Sequence, residues 1–97
     1  MTSSDPAGRR PKIKAASVMR SAADQLSELL GRPPESVSAL RRTDDGWEAD
    51  VEVLEVERIP DTTSVLASYR VMLDEEGDLV EYRRTRRYTR GQIDRPN

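Results

Sequence analysis

Residues 46–69, GWEADVEVLEVERIPDTTSVLASY, decide how this chain folds, for they hold its single tryptophan and its longest alternation of apolar and charged residues. Trp47, Ala49, Val51 and Val53 fall on one side of an extended chain and Glu48, Asp50 and Glu52 on the other, because successive side chains of a strand point to opposite faces. Such a strand has one dry face and one wet face. After Val53 the apolar parity slips to Leu54 and Val56, which predicts a β-bulge at Val53 and Leu54 that returns these side chains to the dry face. Ile59 and Pro60 close the strand, and Asp61, Thr62, Thr63 and Ser64 form a polar connection suited to side-chain to backbone hydrogen bonds. A further strand follows, with Val65, Ala67, Tyr69, Val71 and Leu73 on one face and Leu66, Ser68, Arg70 and Met72 on the other.

Toward the N-terminus, residues 36–43 (SVSALRRT) read as a short first strand, joined to the tryptophan strand by a hairpin turn at Asp44, Asp45 and Gly46. Before it, Ala15, Met19, Ala22, Leu26 and Leu29, flanked by Ala16, Ala23 and Leu30, recur at steps of three and four. That spacing predicts an amphipathic helix over residues 13–30. Gly31 and the prolines at 33 and 34 end it. With so few other apolar residues in the chain, the stripe reads as the lid of the domain's own core and not as a docking face for a partner helix. Residues 1–12 (MTSSDPAGRRPK) lack apolar periodicity and read as a flexible tail, solvated despite Arg9, Arg10 and Lys12.

Toward the C-terminus, Asp74, Glu75, Glu76 and Gly77 make a second tight turn. Residues 78–90 read as a long fourth strand with Val80, Tyr82 and Tyr88 on one parity, and residues 92–97 as a second flexible tail. The expected fold is α+β: a single domain over residues 13–91, with one N-terminal amphipathic helix packed on a four-stranded antiparallel meander sheet in the order 1-2-3-4. Only 35% of the 97 residues are hydrophobic and none is Phe, so the core is thin and a large enclosed cavity is not expected.

Composition narrows the chemistry further. Cysteine and histidine are both absent, which removes disulfides, thiolate nucleophiles, the commonest zinc ligands and the usual general base at neutral pH. The lysines are Lys12 and Lys14 alone, beside the N-terminal tail. No triad or phosphate-cradling loop can be assembled, so the expectation is a protein that is not an enzyme and uses no cofactor or metal. Glu48, Asp50 and Glu52 stand about 7 Å apart along one strand face, a spacing that a hard cation could use. Without a ligating loop, the row reads as a solvated face. No apolar run approaches the roughly 20 residues of a membrane-spanning helix and no signal-peptide pattern opens the chain, which gives a cytoplasmic expectation.

One stretch stands out as a contact surface: YRRTRRYTR, with Tyr82, Arg83, Arg84, Arg86, Arg87, Tyr88 and Arg90. Three readings compete. The arginines balance acids elsewhere on the sheet through cross-strand pairs. They form a recognition edge for an acidic protein partner, since the last strand of a meander leaves one edge unpaired. Or arginines interleaved with tyrosines stack bases and hold phosphates. A net charge of -2 weighs against this last reading, because counterion-driven nucleic-acid binding favours a basic domain.

The order of these pieces resembles the GvpO family of gas-vesicle accessory proteins. The matching features are Gly46 with Trp47, the alternating acids and valines after it, Arg58 to Pro60, Val65 to Tyr69, the acidic turn from Asp74 to Gly77, and the Tyr82 to Tyr88 end. The resemblance implies a non-enzymatic cytoplasmic protein for gas-vesicle formation, acting as an assembly or chaperone-like module beside the shell protein and other accessory proteins. The alternative is a nucleic-acid-binding regulator that uses the Arg/Tyr-rich strand.

Overall fold

The structure, a computed structural model, describes residues 14–93. The tail expected over residues 1–12, and residues 94–97 of the one expected over 92–97, lie outside the described residues, whereas residues 92 and 93 belong to a short terminal helix. In chain order the elements are α1 (Ala15–Leu30), β1 (Pro34–Arg42), β2 (Gly46–Val56), a 3-10 turn (Asp61–Thr63), β3 (Val65–Asp74), β4 (Leu79–Thr89) and α2 (Arg90–Ile93). The four strands pair antiparallel in the order β1-β2-β3-β4, and α1 packs across one face, as the sequence predicts.

The core forms where the alternation of β2 and β3 meets the helix. Trp47, Ala49, Val51 and Val53 lie opposite Leu73, Val71, Tyr69 and Ala67, and all eight are buried with Val18, Ala22 and Leu26 of α1. Val37, Leu40, Leu30 and Leu79 close its margins. The helix ends on Gly31, whose φ of 69° only glycine adopts without strain and whose N–H donates to the Ser27 carbonyl at 2.8 Å.

Three details depart from the expected pattern. First, the buried helical residues follow the four-residue row Val18, Ala22 and Leu26, continued by the half-buried Leu30, a row inclined to the helix axis. Met19 and Leu29, expected inside, are 36% and 56% exposed, and Ala15 is exposed, while Val18 takes a core position. Second, the β2–β3 pairing runs unbroken from Gly46 to Leu54 and shifts between Leu54 and Val56, so the extra residue is Glu55 and not one of the Val53–Leu54 pair. Leu54 therefore stays opposite Leu66 on the face away from the helix. Glu55 is the residue displaced because its carboxylate finds cationic partners there: Arg84 and Arg87 lie 3.4 and 2.9 Å from it. Third, β4 has register shifts around Thr85 and around Val80. Each shift reverses the alternation, so Tyr82 and Tyr88 do not share a face. Tyr82 packs its ring 6.1 Å from that of Tyr69 on the helix side, and Tyr88 reaches Glu52 on the other.

Two turns are held by side chains. Thr43 Oγ1 accepts the Gly46 N–H at 3.1 Å, and a Cβ added at Gly46 would stand 2.1 Å from the Leu73 carbonyl oxygen. The first hairpin thus needs glycine at 46 because β3 passes too close for a side chain. At the other end, Gln25 donates to the Gly77 carbonyl at 2.9 Å and accepts the Leu79 N–H at 2.9 Å, while Ser21 donates to the same Gly77 carbonyl at 2.8 Å. The helix is pinned to the β3–β4 turn.

These contacts order a set of substitutions. Gly46→Ala is expected to cost about 2 kcal/mol or more through forced strand displacement, against about 1 kcal/mol for Gly31→Ala, which meets open space but strains the backbone. Leu26→Ala is expected to cost about 2–5 kcal/mol, and Leu29→Ala under about 0.5 kcal/mol. Urea unfolding midpoints check both pairs; a Leu29 effect equal to that of Leu26 contradicts the core described above.

Candidate interaction surface

The shifts in β4 divide the arginine-rich stretch between the two faces of the sheet. On the helix side lie Tyr82, Arg84 and Arg87, opposite Val71, Tyr69 and Ala67. Glu55 gathers this side: its carboxylate takes Arg84 and Arg87, and the Tyr69 hydroxyl donates to it at 3.3 Å. Burial, with the charge and hydrogen bond of Glu55 behind it, pushes the Tyr69 phenol above its ordinary pKa. On the open side lie Arg83, Arg86 and Tyr88, opposite Arg70, Ser68 and Leu66. Arg90 starts α2, where it lies 2.9 Å from Glu35 and 3.0 Å from Asp61; its Nε is near the Asp61 oxygen but out of line for a hydrogen bond.

Charge balance therefore accounts for Arg84, Arg87 and Arg90. It does not account for Arg83 and Arg86, which make no ion pair among the described residues. Arg86 instead lies over the Tyr88 ring, 4.4 Å from its centre, in a cation–π contact. Among the described residues no strand pairs with the outer edge of β4, and eight of its eleven residues are exposed.

The acidic face of β2 is more closely tied than a solvated row. Glu48 and Asp50 side chains are only 20% and 22% exposed. Arg70 of β3 lies 3.0 Å from Asp50 and 3.7 Å from Glu48, and Arg41 of β1 2.8 Å from Glu48 and 3.7 Å from Asp50. Glu52 takes hydroxyls instead: Ser38 donates to it at 2.7 Å, Ser68 at 2.6 Å and Tyr88 at 2.7 Å. Burial, then the hydrogen bond to Glu52 and its charge, raise the Tyr88 phenol to about 12. Among the described residues, no three carboxylates come together as metal ligands. Above Glu52 the face is concave, a depression of about 620 Å³ that Leu66, Ser68, Arg86 and Tyr88 help to line.

The sequence draws attention to the β4 residues but not to this hydroxyl cluster. Ser38 and Ser68 come from different strands, and nothing local marks them. The available signal was the parity of β3, which already placed Ser68 beside the acidic face.

Together, fold and surface define a helix-on-meander α+β domain whose exposed chemistry sits on one open sheet face and one sheet edge. The chain belongs to the GvpO family: the family model described as gas vesicle synthesis protein GvpO matches residues 1–94. It is 59% identical over 78 residues to gas vesicle protein O of a Streptomyces species, covering 80% of this chain and 61% of that one. To gas vesicle protein O1 of Halobacterium salinarum it is 33% identical over 72 residues, covering 74% and 60%. This chain thus spans about three-fifths of the length of both relatives. No solved structure matches it. Among the described residues, no helix is long and apolar enough to cross a membrane.

The hydroxyl cluster sets a pH dependence. Because the Tyr88 phenol is raised from its ordinary 10 to about 12, the folded state holds a proton that the unfolded chain releases first. Its contribution to stability is whole below pH 10 and falls away between pH 10 and about 12. An ultraviolet tyrosinate titration is expected to show a phenol ionising near 12 that is missing in Tyr88→Phe. The same substitution is expected to cost about 1 kcal/mol in urea unfolding at neutral pH.

Proposed function

We propose that this domain serves gas-vesicle formation as a non-enzymatic, assembly or chaperone-like interaction module in the cytoplasm, bound to other gas-vesicle proteins. Membership in the GvpO family supports the pathway, and the names of its relatives agree with it. The absence of histidine and cysteine from this chain supports the non-enzymatic part. The contact surface is β4, with Arg83 and Arg86 at its centre and Tyr82, Arg84, Arg87, Tyr88 and Arg90 around them. The observation that carries it is the combination of an unpaired strand edge with two guanidinium groups that have no carboxylate partner among the described residues. An exposed edge offers backbone donors and acceptors to an added strand, and free arginines select a partner that carries acids.

The nucleic-acid alternative has one observation in its favour, the stack of Arg86 on Tyr88. Against it, Arg84, Arg87 and Arg90 are already committed to carboxylates. Binding to mixed single-stranded DNA or RNA that weakens steeply with added salt is the signature of that reading.

Tagged chain expressed in cells that make gas vesicles is expected to recover shell or accessory gas-vesicle proteins. Arg83→Glu with Arg86→Glu is expected to weaken that recovery about tenfold or more without unfolding the domain, while Asp45→Asn in the far β1–β2 turn leaves it unchanged. Failure of the unaltered chain to recover any gas-vesicle protein overturns the reading.

A further inference from the structure

Glu52 stands apart from the other carboxylates on β2. Glu48 and Asp50 are held by Arg41 and Arg70, and Glu55 by Arg84 and Arg87, whereas Glu52 makes no ion pair among the described residues. Its three donors, Ser38, Ser68 and Tyr88, are all neutral. Hydroxyl donors bring no positive charge to set against the carboxylate. An uncompensated negative charge therefore lies within the depression of about 620 Å³ on the open face.

The other charged groups around that depression do not neutralise it. Glu35 and Arg90 are paired with each other, and Asp50 is held by Arg70 and Arg41. Arg86 lies on the Tyr88 ring, and its strand is separated from β2 by β3. The floor of the lining includes Leu66, which lies opposite the half-buried Tyr88 ring in the register. Ser36, Ser38, Ser68 and Thr85 add hydroxyls that can accept hydrogen bonds.

We propose that this depression receives a basic side chain, lysine or arginine, carried on an extended segment of a partner protein. The cation sits against Glu52, and the methylene stem lies along Leu66 and Tyr88, as long basic side chains do on apolar surface. The occupant follows from charge complementarity: one unpaired carboxylate selects one cation. This inference rests on the reading of the domain as a protein-binding module and adds the chemistry of the segment bound.

The test is an amide-resolved NMR titration of the full chain at low ionic strength. The probes are N-acetyl-lysine methylamide, the arginine analogue, and the norleucine and glutamate analogues as controls. The two basic probes are expected to shift the amides of Ser38, Glu52, Ser68 and Tyr88 saturably, with affinity about fivefold or more above norleucine. Glu52→Gln is expected to abolish that preference, and Arg86→Gln to strengthen lysine binding by removing a like charge from the rim beside Tyr88. Should Glu52→Gln lose its dispersed spectrum, the Arg86→Gln result and the loss of the lysine preference at high salt decide the matter. Equal shifts from norleucine and lysine, a preference for glutamate, or an unchanged preference in Glu52→Gln overturns the proposal. Recovery of gas-vesicle proteins by the tagged chain alongside any of these results sinks this inference alone; no recovery alongside a lysine preference sinks the assembly reading and leaves the basic-side-chain site standing.

Discussion

A strand that buries Trp47, Ala49, Val51 and Val53 on one side must carry Glu48, Asp50 and Glu52 on the other, and because β2 is an interior strand those acids stand beside side chains of both β1 and β3. The remaining strands supply their partners. Arg41 and Ser38 come from β1, Arg70 and Ser68 from β3, and Tyr88 from β4. A slip of one residue in either neighbouring register would turn charged side chains into the helix and valines toward solvent. The acids on β2 thus enforce the same register that the valines select, and the two demands support one another.

The parts of the fold that were legible in the sequence are those set by short-range period. The alternation of β2 and β3 gave the core residues of both strands, and the glycine-containing turns gave the meander. The bulges were not legible in the same way, because their positions depend on partners distant in sequence. Glu55 is displaced where Arg84 and Arg87 can reach it, 29 and 32 residues further on. In the helix, spacing alone could not choose between the row through Val18 and the margins at Met19 and Leu29, since the line of contact depends on how a twisted sheet meets the helix axis. The candidate site was legible as composition in β4 but not as geometry. Thr85 and Val80 each reverse the alternation, and a count of odd and even positions cannot see that.

The outcome is a molecule with little net charge but distinct local fields. On the helix side, Arg84 and Arg87 share one carboxylate, so that side of β4 carries an excess of positive charge. On the open side, Glu52 lies without an ion pair among the described residues beneath a shallow concavity, while Arg83 and Arg86 stand near the edge. Two regions of opposite local charge thereby sit on one sheet, separated on its open face by β3.

The link between Gln25 and the β3–β4 turn also has a mechanical meaning. Its amide meets the Gly77 carbonyl and the Leu79 N–H much as a neighbouring strand would, so the helix is stitched to the hairpin that presents β4. A hairpin free of such a stitch would bend when its outer strand is pulled. Here a tug on β4 is passed to α1 and into the core beneath it, and the edge strand behaves as the stiff rim of a single body.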